Sequence, residues 1–555
     1  MLFLAEQNIK HTVVKGALIL TVSNVIVKII GALFTIPLIW IIGEEGMGNF
    51  GIAYTIYTTM FALGTAGLPV TLSRMIASSN ALGRYKEPNR ILVIGFSLYA
   101  SISLFVSLSM ILWAGNITAL MGNKDAALAL MAIAPAVLFI SGDAALKGYF
   151  QGFQKMEPTA ITNIIESGGK LIFGLLFAWY LLKQGKPLYV VAAGASAGVA
   201  LGAVLSAVYM ALSFFKSKRS IKFTQYMSAA PSRPYKPIFK EFVMTAVPIL
   251  IGALTINLSS LIDTGVFNNR LQTSGLTLES AKIIFGSYTT MAVKMFTMPI
   301  IVISSICVTL LPAIAAAFAV KNRARVKNAV NGTLRITSIM AMPAAVGILV
   351  LARPILNLIF SGRPVGVSIA APLLNILGIA IFTLSLSQVS NSMLQAIGKP
   401  QIPVFNFLIG GTVKFIINFI LIGMPSIRAI GAPIGTNVCY LIIMILNFLW
   451  LKKYLGFAPD FKAVLAKPFI AAAACGVTAF GVNKYSSELF QNLLKNISHG
   501  MFISNALSLL LAVGIGGIIY ILILFMVKGM SIDDILLLPF GKKLAKTLEN
   551  KGKIR

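Results

Sequence analysis

The sequence predicts an all-α integral membrane protein of about fourteen transmembrane helices: two pseudo-symmetric six-helix lobes plus two C-terminal helices, with both termini cytoplasmic. Three observations predict it. Of 555 residues, 57% are hydrophobic and only 11% are charged, where a soluble chain carries about 25% charged residues. The apolar residues fall into long runs, and about twenty apolar residues span a bilayer core. Lys and Arg gather in alternate loops, roughly three to one in favour of the side that holds both termini.

The runs are 13–42, 49–77, 90–114, 127–153, 158–182, 187–215, 241–267, 283–317, 328–351, 365–395, 402–423, 430–451, 463–483 and 501–527. They lack the period-2 alternation of barrel strands and are too long for them, so helices must satisfy the backbone inside lipid. The runs at 283–317 and 365–395 exceed one crossing and predict tilt or kinks. The first run begins near Val13 without a small-residue cleavage site and reads as a retained helix. Cys307, Cys439 and Cys475 all lie in apolar runs and read as small core residues. The formal net charge of +30 is assigned to loops facing the anionic cytoplasmic leaflet, with no nucleic-acid partner.

The basic loop 216–240 separates six runs from the next six, which sets the domains: an N-lobe at 1–215, the linker 216–240, a C-lobe at 241–455, two further helices at 456–528, and a basic cytoplasmic tail at 529–555. The tail has the pattern of an amphipathic surface helix or of a solvated end. An internal repeat supports two lobes. Gln151, Lys155 and Lys170 recur 244 residues later as Gln395, Lys399 and Lys414, and VTLSRMIA (70–77) resembles VTLLPAIA (308–315). An even number of helices separates the copies, so they share one orientation.

Enzyme signals are missing, and the chain is read as a non-enzyme. There is no phosphate-binding glycine loop. His11 and His499 lie outside the spans as read for topology, and no Cys/His cluster has metal-ligand spacing. The informative residues are ionisable groups inside spans, which are costly in hydrocarbon and face a cavity or a partner. Asp143/Lys147 and Glu166/Lys170 are i,i+4 pairs, and each can neutralise itself on one helix face. Lys28, Lys294 and Lys414 have no acid at helical spacing and point to a water-filled cavity or an anionic ligand; Arg74 lies near the inner end of the second span, and Asp263 towards the outer end of the seventh. The excess is cationic, which suits phosphate. Pro37, Pro69, Pro135, Pro299, Pro343, Pro372 and Pro403 predict bends. Gly194, Gly198 and Gly202 form a small-residue packing stripe on the sixth span.

In order along the chain, KIIGALFTIPLIWIIGEEGMGNFGIAYTIY (28–57), GLPVTLSRMIA (67–77), APAVLFISGDAALKGYFQGFQKMEPTAITNIIE (134–166), PILIGALTINLSSLIDTGVFNNRLQ (248–272), LLPAIAAA (310–317), SNSMLQAIGKPQIP (390–403) and GAPIGTNV (431–438) resemble the multidrug/oligosaccharidyl-lipid/polysaccharide exporter superfamily, and within it the SpoVB/MurJ-like branch. The most specific of these segments is KGYFQGFQKMEPTA.

The resemblance implies a multi-pass protein of the bacterial cytoplasmic membrane that flips undecaprenyl-pyrophosphate-linked cell-wall precursors, with lipid II the leading substrate, by alternating access. It implies a cationic central cavity. Lys28, Arg74 and Lys294 match the family's cavity cations by helix and depth, and Lys414 joins them as a mid-span lysine. It also implies a sodium site, for which Asp263, Asn418 and Asn437 are the candidates, while Asp143, Lys147, Glu166 and Lys170 are candidate cavity ion pairs. No organic cofactor is expected; sodium, protons or the membrane potential supply the energy. The chain is read as a monomer that meets its lipid-linked substrate in the bilayer, with cell-wall synthesis proteins as partners in growth or sporulation. The alternatives are a flippase for another lipid-linked saccharide, a cation-coupled multidrug exporter, and a non-transporting scaffold.

Overall fold

The computed structural model describes residues 2–65, 67–218, 231–308, 322–460, 462–495 and 500–527, with Ile314, Phe318 and Gly529. Linker residues 219–230, part of LLPAIAAA, Lys321, His499 and the tail from 530 onward lie outside the described residues. Among those described there is no strand. The α-helices in chain order are α1 (Leu2–Thr65), α2 (Leu68–Ala81), α3 (Glu87–Leu112), α4 (Ala114–Leu120), α5 (Ala127–Ile133), α6 (Pro135–Gly152), α7 (Glu157–Lys183), α8 (Leu188–Lys218) and α9 (Tyr235–Thr273). They continue with α10 (Leu278–Ser287), α11 (Val293–Val308), α12 (Arg323–Ile359), α13 (Pro364–Ala396), α14 (Gln401–Ile422), α15 (Gly431–Leu455), α16 (Lys467–Leu493) and α17 (Gly500–Met526).

Twelve helical stretches among the described residues are long and apolar enough to cross a membrane. The protein is therefore an all-helical, multi-pass membrane protein. The 60-residue stretch Val22–Ala81 holds the first two apolar runs. They are joined at Gly43, whose φ of 66° and ψ of −176° only glycine adopts without strain.

Several runs are interrupted where the sequence reads as continuous. The second run, 49–77, is broken between Thr65 and Leu68, with Gly67 at φ 80° and Pro69 in the first turn of α2. The fourth divides at Ala134 between α5 and α6, because Pro135 starts the second piece and cannot donate to the first. The eighth carries a π-helical turn at Tyr288–Ala292. Of the prolines expected to bend helices, Pro37, Pro299, Pro343 and Pro372 lie inside them. Pro135 and Pro403 lie instead in first turns, where the missing N–H is not needed.

The chain forms two compact units, Met1–Asn269 with Thr277–Gly286, and Arg270–Leu276 with Ser287–Arg555. In the first unit, Leu68, Leu72, Ile76, Ile91, Tyr99 and Phe242 share one core, so the start of α9 packs on α2 and α3. In the second, Ile339 and Met342 of α12 pack against Ala471, Cys475 and Tyr520, and the Tyr520 hydroxyl donates to the Ile339 carbonyl at 2.7 Å. Cys439 and Cys475 are buried free thiols.

The 244-residue repeat is visible in the helix ends. α6 ends at Gly152 and α13 at Ala396; α7 begins at Glu157 and α14 at Gln401. The turns between them match bond for bond. Lys155 N–H donates to the Phe150 carbonyl as Lys399 N–H does to Leu394, both at 2.9 Å. The left-handed residue is Gln154 (φ 60°) in one turn and Gly398 (φ 79°) in the other.

The glycine stripe packs as the sequence predicts. A Cβ on Gly202 of α8 would stand 2.6 Å from the Glu166 carbonyl oxygen and 2.8 Å from the Lys170 nitrogen of α7, and one on Gly169 would stand 2.6 Å from the Gly202 Cα. The two backbones are thus in direct contact. Gly202→Val is expected to destabilise the protein by about 1–3 kcal/mol through overpacking, measured as a lower thermal midpoint in detergent. Gly168→Ala, where a Cβ meets nothing within 4 Å, is expected to leave that midpoint unchanged.

Candidate functional site

The charges of α6 and α7 form one network in the first unit. Asp143 is buried, with its side chain 0% exposed, and its Oδ2 meets Lys147 Nζ at 2.6 Å. The same oxygen accepts from the Ser206 hydroxyl of α8 at 2.9 Å. Lys147 also faces Glu166 Oε2, at 3.8 Å.

The first i,i+4 pair therefore forms. The second does not: Lys170 turns from Glu166 to the Tyr54 hydroxyl, to which its Nζ donates at 3.0 Å. The ammonium lies 4.3 Å from the Tyr54 ring centre and 4.7 Å from that of Phe34. Aromatic faces hold a cation by their quadrupole, and at this spot they replace the carboxylate that helical spacing offered. Tyr54 belongs to an aromatic ladder, Phe34, Phe50, Tyr54, Tyr57 and Phe61, with neighbouring rings 5.5–6.0 Å apart. The four on the second apolar run recur at helical spacing; that stripe was the sequence signal for the cation's true partners. Ser206 gave none, since a lone serine in an apolar run has no pattern.

The other candidates are placed as follows. Lys28 is exposed on α1 beside exposed Val25 and Ile29, and Arg74 is exposed on α2. Neither has a hydrogen bond or ion pair among the described residues. Lys294 is exposed on α11, two residues past the π-helical turn; such turns recur at functional sites. Lys414 is buried on α14 with Asn406 and Asn418 on the same face. That face joins a neutral network: Asn406 donates to Asn447 at 2.8 Å, and Asn447 donates to the Ser390 hydroxyl at 2.9 Å and to Asn391 at 2.8 Å.

Asp263 belongs to the first unit, and Asn418 and Asn437 to the second. Asn437 donates to the carbonyls of Ile376 and Pro433, and its buried Oδ1 accepts nothing among the described residues. A bare amide oxygen fits a hard cation.

Two ion clusters were not anticipated. Lys282 of α10, buried, pairs with Asp125 and with Glu45 at 3.5 Å. Here the three partners are far apart in sequence, so no spacing announces them. On the other side, Arg233 donates its guanidinium to buried Glu87 at 3.2 Å and to Glu241 at 2.6 Å, while Arg90 donates to the Arg233 carbonyl at 2.6 Å. The hydrogen bond to Glu87 pushes the Arg233 guanidinium further above its ordinary value, so it stays charged at any physiological pH. The described end of the basic linker is thus clamped to the start of α3.

Residues 13–318 match the family model described as polysaccharide biosynthesis protein, and residues 248–420 match the MatE model. The chain is 24% identical to the lipid II flippase MurJ of Bacillus subtilis (strain 168) over 536 residues, covering 91% of this chain and 94% of that protein. It is 25% identical to stage V sporulation protein B of the same organism over 482 residues, 86% of this chain and 90% of that one. Among solved structures, the inward closed conformation of a lipid II flippase MurJ superposes with a TM-score of 0.65 at 16% identity, over 91% of this chain and 98% of the other. An inward-facing multidrug resistance MATE family transporter gives 0.65 at 17%, over 77% and 94%.

The Asp143–Lys147 contact has a direct consequence for stability. Removing one partner leaves the other charge buried. Lys147→Met is expected to destabilise by about 3–5 kcal/mol, and adding Asp143→Asn is expected to recover most of the loss. Thermal unfolding of both variants in detergent checks this.

Proposed function

The chain belongs to the polysaccharide biosynthesis protein family of membrane transporters, and from that premise we propose that it flips an undecaprenyl-pyrophosphate-linked saccharide, foremost lipid II, from the inner to the outer leaflet. One observation carries the reading. Lys28 is a mid-run lysine on an apolar helix, exposed and with no ion partner among the described residues. A lysine at the centre of a lipid-facing helix costs about 2.5–3.5 kcal/mol even on the most lenient scale. Water in a cavity or an anionic ligand removes that cost, and the pyrophosphate of a lipid-linked sugar supplies the anion.

On this reading Lys28, Arg74, Lys294 and Lys414 are the cations offered to the head group. An ammonium binds phosphate as a point charge, without the bidentate geometry of a guanidinium, so the lysines favour charge over shape. The apolar tail stays in lipid while access alternates. The membrane potential assists, since moving one negative charge outward is worth about 2.3 kcal/mol per 100 mV when the interior is negative. Where Asn437 and its partners bind sodium, the ion adds a second source of energy; no step here depends on it. The topology proposed with this function has fourteen crossings and both termini inside.

The rival within the family is a flippase for a different lipid-linked saccharide. The cationic excess weighs against an exporter of cationic drugs.

Two measurements test the reading. In vesicles, flipping of lipid II is expected to fall at least about tenfold in Lys28→Ala and in Lys294→Ala, a loss of about 1.4 kcal/mol each; unchanged rates in both remove these residues from the site. Depletion in cells is expected to accumulate a lipid-linked precursor on the cytoplasmic leaflet. Accumulation of a saccharide other than lipid II selects the rival, and no accumulation with normal membrane assembly selects a scaffold.

A further inference from the structure

The lysines where α14 begins and α15 ends rest on aromatic rings, not on acids. Lys399 closes the turn before α14, and Lys452 and Lys453 stand in the last turn of α15. All three are exposed, and none has an ion pair among the described residues. α13, α14 and α15 contain no Asp or Glu. Lys399 Nζ lies 5.1 Å from the Tyr454 ring centre, and Lys453 Nζ lies 4.8 Å from that of Trp450. The two rings stack on each other, 5.8 Å apart and 15° from parallel. The first unit treats its basic linker end the other way: Arg84 and Arg233 meet Glu87, and Arg233 also meets Glu241. There the chain supplies its own anions, and at the end of α15 it supplies rings.

Lysines in a last turn suit the helix dipole, which accounts for Lys452 and Lys453. It does not account for Lys399, which stands at the start of a helix, where the dipole disfavours a cation. Nor does it call for rings that fix the direction of two ammoniums. A cation held over a ring face keeps its far side open to a second partner, and a cluster of one sign draws a counter-ion. The partner's other half is also indicated. On the face of α15 that carries Lys453, exposed Leu449, Ile445 and Leu441 follow at intervals of four residues. A cationic end that runs into an apolar stripe on a membrane helix matches an anionic head on a hydrocarbon tail.

We propose that the start of α14 and the end of α15 form a binding site for an anionic phospholipid of the bilayer. Its phosphate meets Lys399 and Lys453 beside the Trp450–Tyr454 pair, with Lys452 adding charge, and an acyl chain follows Leu449, Ile445 and Leu441. The stripe selects a bilayer lipid over a soluble phosphate, because only a tailed molecule gains from it. In the topology proposed above this end faces the cytoplasmic leaflet, whose anionic lipids attract basic segments next to membrane helices. Tryptophan and tyrosine favour that same interface. The bound phosphate bridges the turn before α14 to the end of α15, the two segments that Lys399 and Tyr454 already join. The site does not depend on the flippase reading.

Native mass spectrometry of the full chain in detergent, with phosphatidylglycerol or phosphatidylcholine added, tests the site. Phosphatidylglycerol is expected to bind at least about tenfold more tightly, each basic residue contributing about fivefold. Lys399→Gln with Lys453→Gln is expected to abolish the preference, and Lys399→Arg with Lys453→Arg to keep it. Trp450→Leu with Tyr454→Leu is expected to weaken it at unchanged net charge. The control is Lys236→Gln with Lys240→Gln, which removes two exposed lysines at the start of α9 and is expected to leave the preference intact. A wild type without the preference overturns the proposal, and so does a control that loses as much as the Lys399/Lys453 variant. Displacement of the lipid by excess inorganic phosphate overturns the role of the stripe. Tighter retention of undecaprenyl phosphate than of phosphatidylglycerol reassigns the site to a polyprenyl lipid and overturns the phospholipid.

Discussion

Everything in the first unit depends on how closely α7 and α8 approach. Glycine meets glycine along their contact, so the backbones touch and there is no room for a side chain between them. That contact fixes the helix carrying Glu166 and Lys170 against the helix carrying Ser206, and leaves their long side chains one way to go, towards α6 and α1. Inside a bilayer no water repairs a misplaced polar group. The charges beside this contact find partners within reach of a rigid frame: Asp143 finds Lys147 and Ser206, and Lys170 finds an aromatic box.

The division between legible and illegible features follows from this. Helical class and the runs themselves were legible because length and hydropathy act locally. The glycine stripe was legible because small residues four apart have one common use in membrane helices. The Asp143–Lys147 pair was legible for the same reason of spacing. Glu166 and Lys170 have the same spacing and do not pair, because two other helices offer each of them something nearer. Spacing on one helix proposes a contact, and the neighbouring helices decide it. Bends at Pro69 and Pro135 were expected from the prolines; that each ends one helix and begins another was not, because hydropathy does not show where a backbone hydrogen bond is lost.

The long-range clusters mark the limit. Lys282 with Asp125 and Glu45, and Arg233 with Glu87, join segments separated by more than a hundred residues. They read in the sequence as ordinary surface charges near helix ends. Only the fold brings them together, and in each case a buried member, Lys282 or Glu87, shows that the contact belongs to the packed structure.

The two matched turns, one closing α6 and the other closing α13, reach one geometry with different residues. Both need a residue in the left-handed conformation, and both make the same hydrogen bonds. Gly398 adopts it freely, whereas Gln154 does so against the steric preference of a side chain, at about 1–2 kcal/mol. A turn of one shape built on glycine in one place and glutamine in the other is held by the helices on either side. The backbone path, and not the residue at its left-handed position, is what the two turns have in common.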